Sequence, residues 1–151
     1  FRVVLLLPRK PSNGADTTRG QLGRLREADT GNRLLATTIS THDGDDSAPV
    51  YVHAKLGIVD DEWMTIGSAN LNEHSLFNDT EVNVATDDRE LVHATRLRLW
   101  SEHLGRPAAE LDTDPAAVVD EQPTHRLTLL PGVSRRAGRL QGPLRGLLVD
   151  G

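Results

Sequence analysis

Apolar residues fall in short runs along the first hundred positions, separated by polar and turn-rich stretches. The run 1–8 (FRVVLLLP) is continuous and closes at Pro8, which predicts a buried strand. Pro11, Ser12, Asn13 and Gly14 form a loop. Asp16 or Thr17 then caps a helix to about Asp29, with Leu22 and Leu25 on one side. A second strand is read over 33–40 (RLLATTIS). The stretch 41–49 (THDGDDSAP) is acidic and rich in turn residues, so it reads as an exposed loop.

Two strand-like runs follow, 51–60 (YVHAKLGIVD) and 62–68 (EWMTIGS), with Asp60 and Asp61 at the turn between them. Residues 71–77 read as a short helix or turn, and 81–86 alternates as a strand does. Asp87 and Asp88 open a helix to about Leu104, where acidic side chains suit the positive N-terminal end. Its expected buried face is Leu91, Ala94, Leu97, Leu99 and Trp100. Gly105 and Pro107 stop it. Beyond 106, Pro107, Pro115, Pro123, Pro131 and Pro143 interrupt the pattern, and 124–130 and 144–150 read as strands or packed extensions. Strands alternating with helices predict an α/β domain, a mixed β-sheet flanked by helices. Its body is expected over residues 1–105, with 106–151 as a Pro/Gly/Arg-rich C-terminal extension.

Composition narrows the class. The 151 residues are enough for one domain with a buried core. Aromatic residues are few (Phe1, Tyr51, Trp63, Phe77 and Trp100), so Leu, Val, Ile and Ala must fill that core. The absence of cysteine excludes disulfides, thiol catalysis and thiolate metal sites. No apolar run approaches the roughly 20 residues of a membrane span. A formal net charge of −5 counts against a non-specific nucleic-acid binder, whose affinity comes from neutralising phosphates. Residues 122–151 nevertheless carry a net +4. Arg126, Arg135, Arg136, Arg139 and Arg145 are either solvated or rest on anionic lipid headgroups, where each basic residue contributes about 1 kcal/mol. The chain opens on Phe1 inside an apolar run, which reads as a piece of a longer or processed protein. The compartment is left open, with a cytoplasmic or peripheral-membrane location favoured.

The chemistry concentrates at 53–70. His53 and Lys55 lie two apart in a strand-like run, and side chains two apart share a face. Asp60 ends that run, while Gly67, Ser68 and Asn70 end the next. A hairpin brings Ser68 and Asn70 back beside His53 and Lys55. Imidazole serves as nucleophile on phosphorus or as acid to a leaving oxygen. An ammonium and neutral donors stabilise charge on phosphate oxygens. Gly67 permits close backbone approach. Nothing in the set demands a metal or other cofactor. Beside this stands a plainer reading of each part: Asp60–Asp61 as a polar turn, Glu81 as an exposed strand residue, His74 and Asn72 as local caps. His93 and His103 read as surface residues, and Trp63 and Trp100 as core.

The stretch HAKLGIVDDEWMTIGSAN (53–70) resembles the HxKxxxxD…GSxN signature of the phospholipase D superfamily, the HKD motif. His53, Lys55, Asp60, Gly67, Ser68 and Asn70 match it in type and spacing. The stretches 68–84 and 97–105 also resemble eukaryotic-type and bacterial phospholipases D. The resemblance implies a phospholipase D-like fold and phosphodiester hydrolysis or transphosphatidylation on glycerophospholipids through a phosphohistidine intermediate. It implies two HKD motifs meeting across a pseudo-twofold axis, one His as nucleophile and the other protonating the leaving alcohol. The present motif resembles the second. His53 is thus the implied general acid, then general base, with Lys55, Ser68 and Asn70 holding the phosphate. Asp60 is implied to be mostly structural. Glu81 matches the later acidic residue that orients the catalytic His, and a carboxylate on imidazole favours protonation in any case.

A second HxK and a second GSxN are missing from the chain. Either two copies of His53 meet in a homodimer, or the partner motif lies in an N-terminal half outside this sequence. The second is preferred, because the matches lean toward two-motif phospholipases. The expected partners are thus a phospholipid substrate, a second HKD half and a peripheral membrane surface. The rival readings are a single-motif homodimeric nuclease of the same superfamily and a truncated non-catalytic module.

Overall fold

The apolar runs pair into two sheets in a computed structural model of the chain, which describes residues 1–10, 15–72, 74–121 and 127–129. Strand β1 (Val3–Leu6) runs parallel to β2 (Leu34–Asp43), from Val3 opposite Leu34 to Leu6 opposite Thr37. Parallel neighbours need a crossover, and helix α1 (Ala15–Ala28) supplies it. Strand β3 (Asp46–Pro49) returns antiparallel along the far half of β2. The second sheet is an antiparallel meander of β4 (Lys55–Val59), β5 (Trp63–Gly67) and β6 (Asn83–Thr86). Helix α2 (Arg89–Leu104), the short helices α3 (Ala108–Leu111) and α4 (Pro115–Asp120), and strand β7 (Leu127–Leu129) on β2 complete the described chain. The arrangement is α/β with mixed sheets flanked by helices, as the alternation predicted.

The local chemistry explains most boundaries. Asp29 closes the turn after α1, its carboxylate accepting from the Gly31 and Leu34 backbone N–H groups. Hydrogen bonds from the Arg33 and then the Leu34 backbone N–H groups, with Gly31 adding less, hold the Asp29 carboxyl below the usual range. Asp88 caps α2 by accepting from Leu91 N–H at 3.1 Å, and Gly105, left-handed at φ +66°, ends it. Asp16 and Thr17 do not cap α1: the helix already begins at Ala15. The stretch 41–49 is exposed but is not a loop. Gly44 takes φ +58° and lets β2 fold straight into β3, with Asp43 opposite Asp46. Strand β1 is not buried either, because it pairs only with β2 among the described residues and leaves Val3 and Val4 exposed.

The core is aliphatic: Leu22, Ile39, Met64, Val92, Leu111 and Val118 are buried, with Thr37, Thr38, Ser75 and Arg96 as buried polar partners. The face of α2 differs from the expected one. Leu91 is 50 % exposed, while Val92 and Arg96 are buried, so the helix is rolled by about one position. Arg96 causes this. Its guanidinium forms a two-pronged ion pair with Asp61 at 2.7–2.9 Å and lies 4.9 Å from the Trp100 ring. Leu25 is likewise exposed, while Leu22 is core. Among the described residues, no helix is long and apolar enough to cross a membrane. Residues 144–150 and the arginines of the basic tail lie outside the described residues.

Candidate active site

The β4–β5 hairpin begins from its turn. Asp60 and Asp61 both take left-handed backbone angles, φ +52° and +56°, and Val59 C=O accepts from Glu62 N–H at 2.9 Å. Asp tolerates this region better than most residues, because its short polar side chain bonds locally. The register then sets Lys55 opposite Gly67, and Gly67 opposite Asn83 on β6. Three strand ends thus meet in one row, with Lys55 at its outer end. Asp60 heads the turn at the other end of β4, roughly 16 Å along the strand at about 3.3 Å per residue. It belongs to the turn and not to this cluster.

Gly67 is the tightest point of the row. A Cβ there would stand 1.9 Å from Asn83 Oδ1, 2.3 Å from Val82 O and 2.6 Å from Asn83 Cα. No real side chain survives contacts that short against backbone. Close approach lets Ser68 N–H donate to Val82 O at 3.0 Å and Ala69 N–H donate to Asn83 Oδ1 at 3.2 Å. Gly67→Ala is therefore expected to pry β5 from β6 and to cost about 1–3 kcal/mol, the range for overpacking. Urea denaturation measures it, and an unchanged midpoint would remove the packing argument.

Ser68, Glu81 and Lys55 converge at this end. Ser68 Oγ donates to Glu81 Oε2 at 2.5 Å and accepts from Val82 N–H at 3.0 Å. Ser68 and then Ser75, both donating to it, hold the Glu81 carboxyl below the usual range, and the Lys55 charge adds to the effect. Ser75 is buried in a π-helical turn (His74–Asn78), where its N–H donates to Asn72 Oδ1 at 2.8 Å. Lys55 is half-buried and its Nζ donates to the His53 carbonyl at 2.9 Å. The ammonium is thereby held on the His53 backbone.

His53 precedes β4 by two residues instead of lying within it, and it is exposed. Its ring packs on Tyr51, centroids 6.1 Å apart and planes inclined by 29°. Among the described residues it makes no hydrogen bond with Ser68, Asn70 or Glu81. Asn70 is half-buried in the bend after β5, where its carbonyl accepts from Asn72 N–H at 2.8 Å. The structure thus joins Ser68 to Glu81, sets the Lys55 charge near enough to act on that carboxyl, and ties Lys55 to the His53 backbone. The imidazole faces outward, toward Tyr51.

The depressed Glu81 carboxyl fixes an acid-side expectation. A group whose folded pKa lies below its unfolded value contributes stability that is complete above the unfolded value. That stability is lost as pH falls through the folded one. Carbon-detected titration of Glu81 should therefore show a midpoint below the ordinary glutamate value of about 4.3. Ser68→Ala and Ser75→Ala should each raise it. A midpoint at or above the ordinary value contradicts the hydrogen-bond pattern.

Sequence reasoning passed over Ser75, Tyr51 and Asn83. Asn83 follows Glu81 in the strand-like run 81–86, and its place opposite Gly67 was readable from the register alone. Ser75 carried no signal, because its role needs the return of Glu81 six residues later. His93 was read as a surface residue, yet its Nε2 lies 3.1 Å from Asp112 Oδ1 and 3.9 Å from Asp61 Oδ2. Trp63 is 41 % exposed and so is not core.

Comparison with known proteins finds relatives of one family. Phospholipase D zeta 1 of Arabidopsis thaliana is 42 % identical over 83 residues, covering 44 % of this chain and 8 % of that protein. Phospholipase D alpha 4 of the same plant is 46 % identical over 63 residues, covering 37 % and 8 %. Phospholipase D alpha 1 of Brassica oleracea var. capitata is 34 % identical over 91 residues, covering 52 % and 11 %. The chain thus spans about a tenth of the length of these curated relatives. The family profile described as phospholipase D matches residues 26–128, from the last turn of α1 into β7. A match over that span, with His53, Lys55, Ser68 and Glu81 all inside it, makes this chain a member of the phospholipase D family.

Proposed function

We propose that the chain supplies one of two HKD motifs for cleavage or exchange of glycerophospholipid phosphodiesters. One observation carries the reading: at the sheet end beside His53, Ser68 is hydrogen-bonded to Glu81 and Lys55 is held on the His53 carbonyl with its charge acting on that same carboxyl. A phosphate seated there meets Lys55, the Ser68 hydroxyl and the Asn70 amide, donors that favour charge on its non-bridging oxygens. Glu81 serves this cradle by orienting Ser68 and attracting Lys55.

The histidine of the other motif, the one outside this chain's 53–70 stretch, attacks phosphorus. Its P–N bond forms as the P–O bond to the alcohol breaks, and His53 gives its proton to the departing oxygen. Water or a second alcohol then attacks phosphorus, His53 takes back a proton, and the P–N bond breaks. Hydrolysis and transphosphatidylation differ only in the acceptor. His53 is exposed and stacked on Tyr51, which leaves its ring accessible to the other motif. That motif comes from an N-terminal half or from a second copy of this chain.

Ethanol competition on short-chain phosphatidylcholine tests the reading, with molar mass measured in parallel by light scattering. Phosphatidylethanol should accumulate at the expense of phosphatidic acid while total turnover stays constant, the signature of a shared intermediate. Turnover in a dimer assigns the second motif to another copy, and a monomer should gain turnover when the N-terminal half is supplied. Ethanol that leaves product identity unchanged contradicts the covalent intermediate.

A further inference from the structure

A groove of about 270 Å³ opens next to the proposed catalytic histidine, lined by Arg9, Lys10, Pro49, Val50 and Tyr51. Strand pairing builds it. Leu7 N–H donates to Thr37 O and Val50 N–H donates to Ile39 O, both at 3.0 Å. The chain therefore leaves β1 and β3 at neighbouring levels of β2, and the two exits share one cleft. Crevices at such strand ends are where α/β sheets bind ligands.

The lining chemistry is selective. Arg9 and Lys10 are exposed, and among the described residues neither side chain meets a carboxylate. Pro49, Val50 and the Tyr51 ring give the remaining wall an apolar character suited to a short carbon linker. Tyr51 belongs to both places: it lines the groove and packs on the His53 ring. An anion in the groove is thus one aromatic ring away from the reacting imidazole. The Lys55–Ser68 cradle is a separate set of residues, so a ligand occupying both must carry two anionic groups.

We propose that Arg9, Lys10 and Tyr51 form a second anion subsite beside His53, which selects phosphodiesters whose headgroup carries a further phosphate. This rests on the phosphodiester chemistry proposed above and names the substrate class for it. A guanidinium takes a phosphate through paired hydrogen bonds and an ammonium adds a point charge, so the pair distinguishes a charged headgroup from a neutral one.

Tyr51 is the sole tyrosine of the chain, so ring-labelled tyrosine reports on this site alone by NMR. The probes are glycerophosphoglycerol, the same diester with a terminal phosphate, and inorganic phosphate. The phosphorylated diester should shift the Tyr51 ring and bind about fivefold more tightly than the plain one, as two exposed charge contacts allow. Arg9→Ala with Lys10→Ala should bring its affinity down to that of the plain diester. Equal affinity for the two diesters, or a preference that survives the double substitution, overturns the subsite. Inorganic phosphate binding the groove as tightly as the phosphorylated diester overturns its assignment to substrate. Lys55→Ala should weaken both diesters equally. If it changes neither while the preference persists, the phosphate cradle fails and the groove stands.

Discussion

Phosphodiester turnover is expected to fall by roughly 10²- to 10⁴-fold when His53 is replaced by Ala alongside the complementary motif, the range for losing a positioned acid–base group. Lys55→Ala lowers it by roughly 10²- to 10³-fold, as loss of a donor to developing charge does. The two effects have different causes. In the proposed scheme His53 would carry the proton, and without it the leaving alkoxide would depart unprotonated. Lys55 moves no proton. Its Nζ sits 2.9 Å from the His53 carbonyl and its charge reaches Glu81, so in the proposed scheme it would hold both the phosphate and the local geometry. Lys55→Arg should not restore the rate, because a planar guanidinium cannot occupy a point position between the His53 carbonyl and the cradle. Circular dichroism on each variant separates chemistry from unfolding, since neither side chain is core. Normal steady-state rates in a folded His53→Ala or Lys55→Ala protein would refute the assignment.

The β4–β5 hairpin was legible because its signals are local. Two aspartates suit a left-handed turn, and a fixed count of residues on either side returns Ser68 toward Lys55. The α2 caps, Asp88 and Gly105, were legible for the same reason. The prolines misled. Pro107 and Pro115 read as interruptions, yet Pro107 precedes α3 and Pro115 opens α4, where its fixed φ and missing N–H cost nothing. Asp114 accepts from Ala116 N–H at 3.0 Å and completes that start. Leu111 and Val118 from these helices are buried.

Non-local pairings were the other gap. The outward face of His53, the groove at Arg9 and Tyr51, and the clasp of Ser75 on Glu81 all depend on segments that meet only after folding. Apolar periodicity placed Leu91 inward. A charged residue, Arg96, turns the helix instead, and its reason lies 35 positions away at Asp61. Beside it, Arg2 and Asp120 hold β1 to α4 across 118 positions, with Asp120 held below the usual carboxyl range by that pair.

Arg96→Ala is expected to destabilise the domain by about 3–5 kcal/mol, the cost of breaking a buried ion pair from one side. Arg96 is 4 % exposed, so its departure leaves a cavity under Trp100 and strips Asp61 of its main partner. Asp61 also holds a left-handed backbone position, so the loss is felt at the β4–β5 turn. His93 remains near Asp61 at 3.9 Å and cannot replace a two-pronged guanidinium. The penalty comes from the orphaned carboxylate as much as from the lost attraction, and this gives a sharper test. Arg96→Met keeps much of the buried stem, and pairing it with Asp61→Asn removes the orphaned charge while retaining a residue that accepts φ > 0. The double variant should recover at least about 1 kcal/mol relative to Arg96→Met alone, the low end of what replacing a buried pair as a unit spares. Urea midpoints at neutral pH read both numbers. If Arg96→Met with Asp61→Asn is less stable than Arg96→Met by itself, Asp61 is held by something other than this pair. The tie between the catalytic hairpin and α2 would then have to be sought in its packing, through Met64 and Val92.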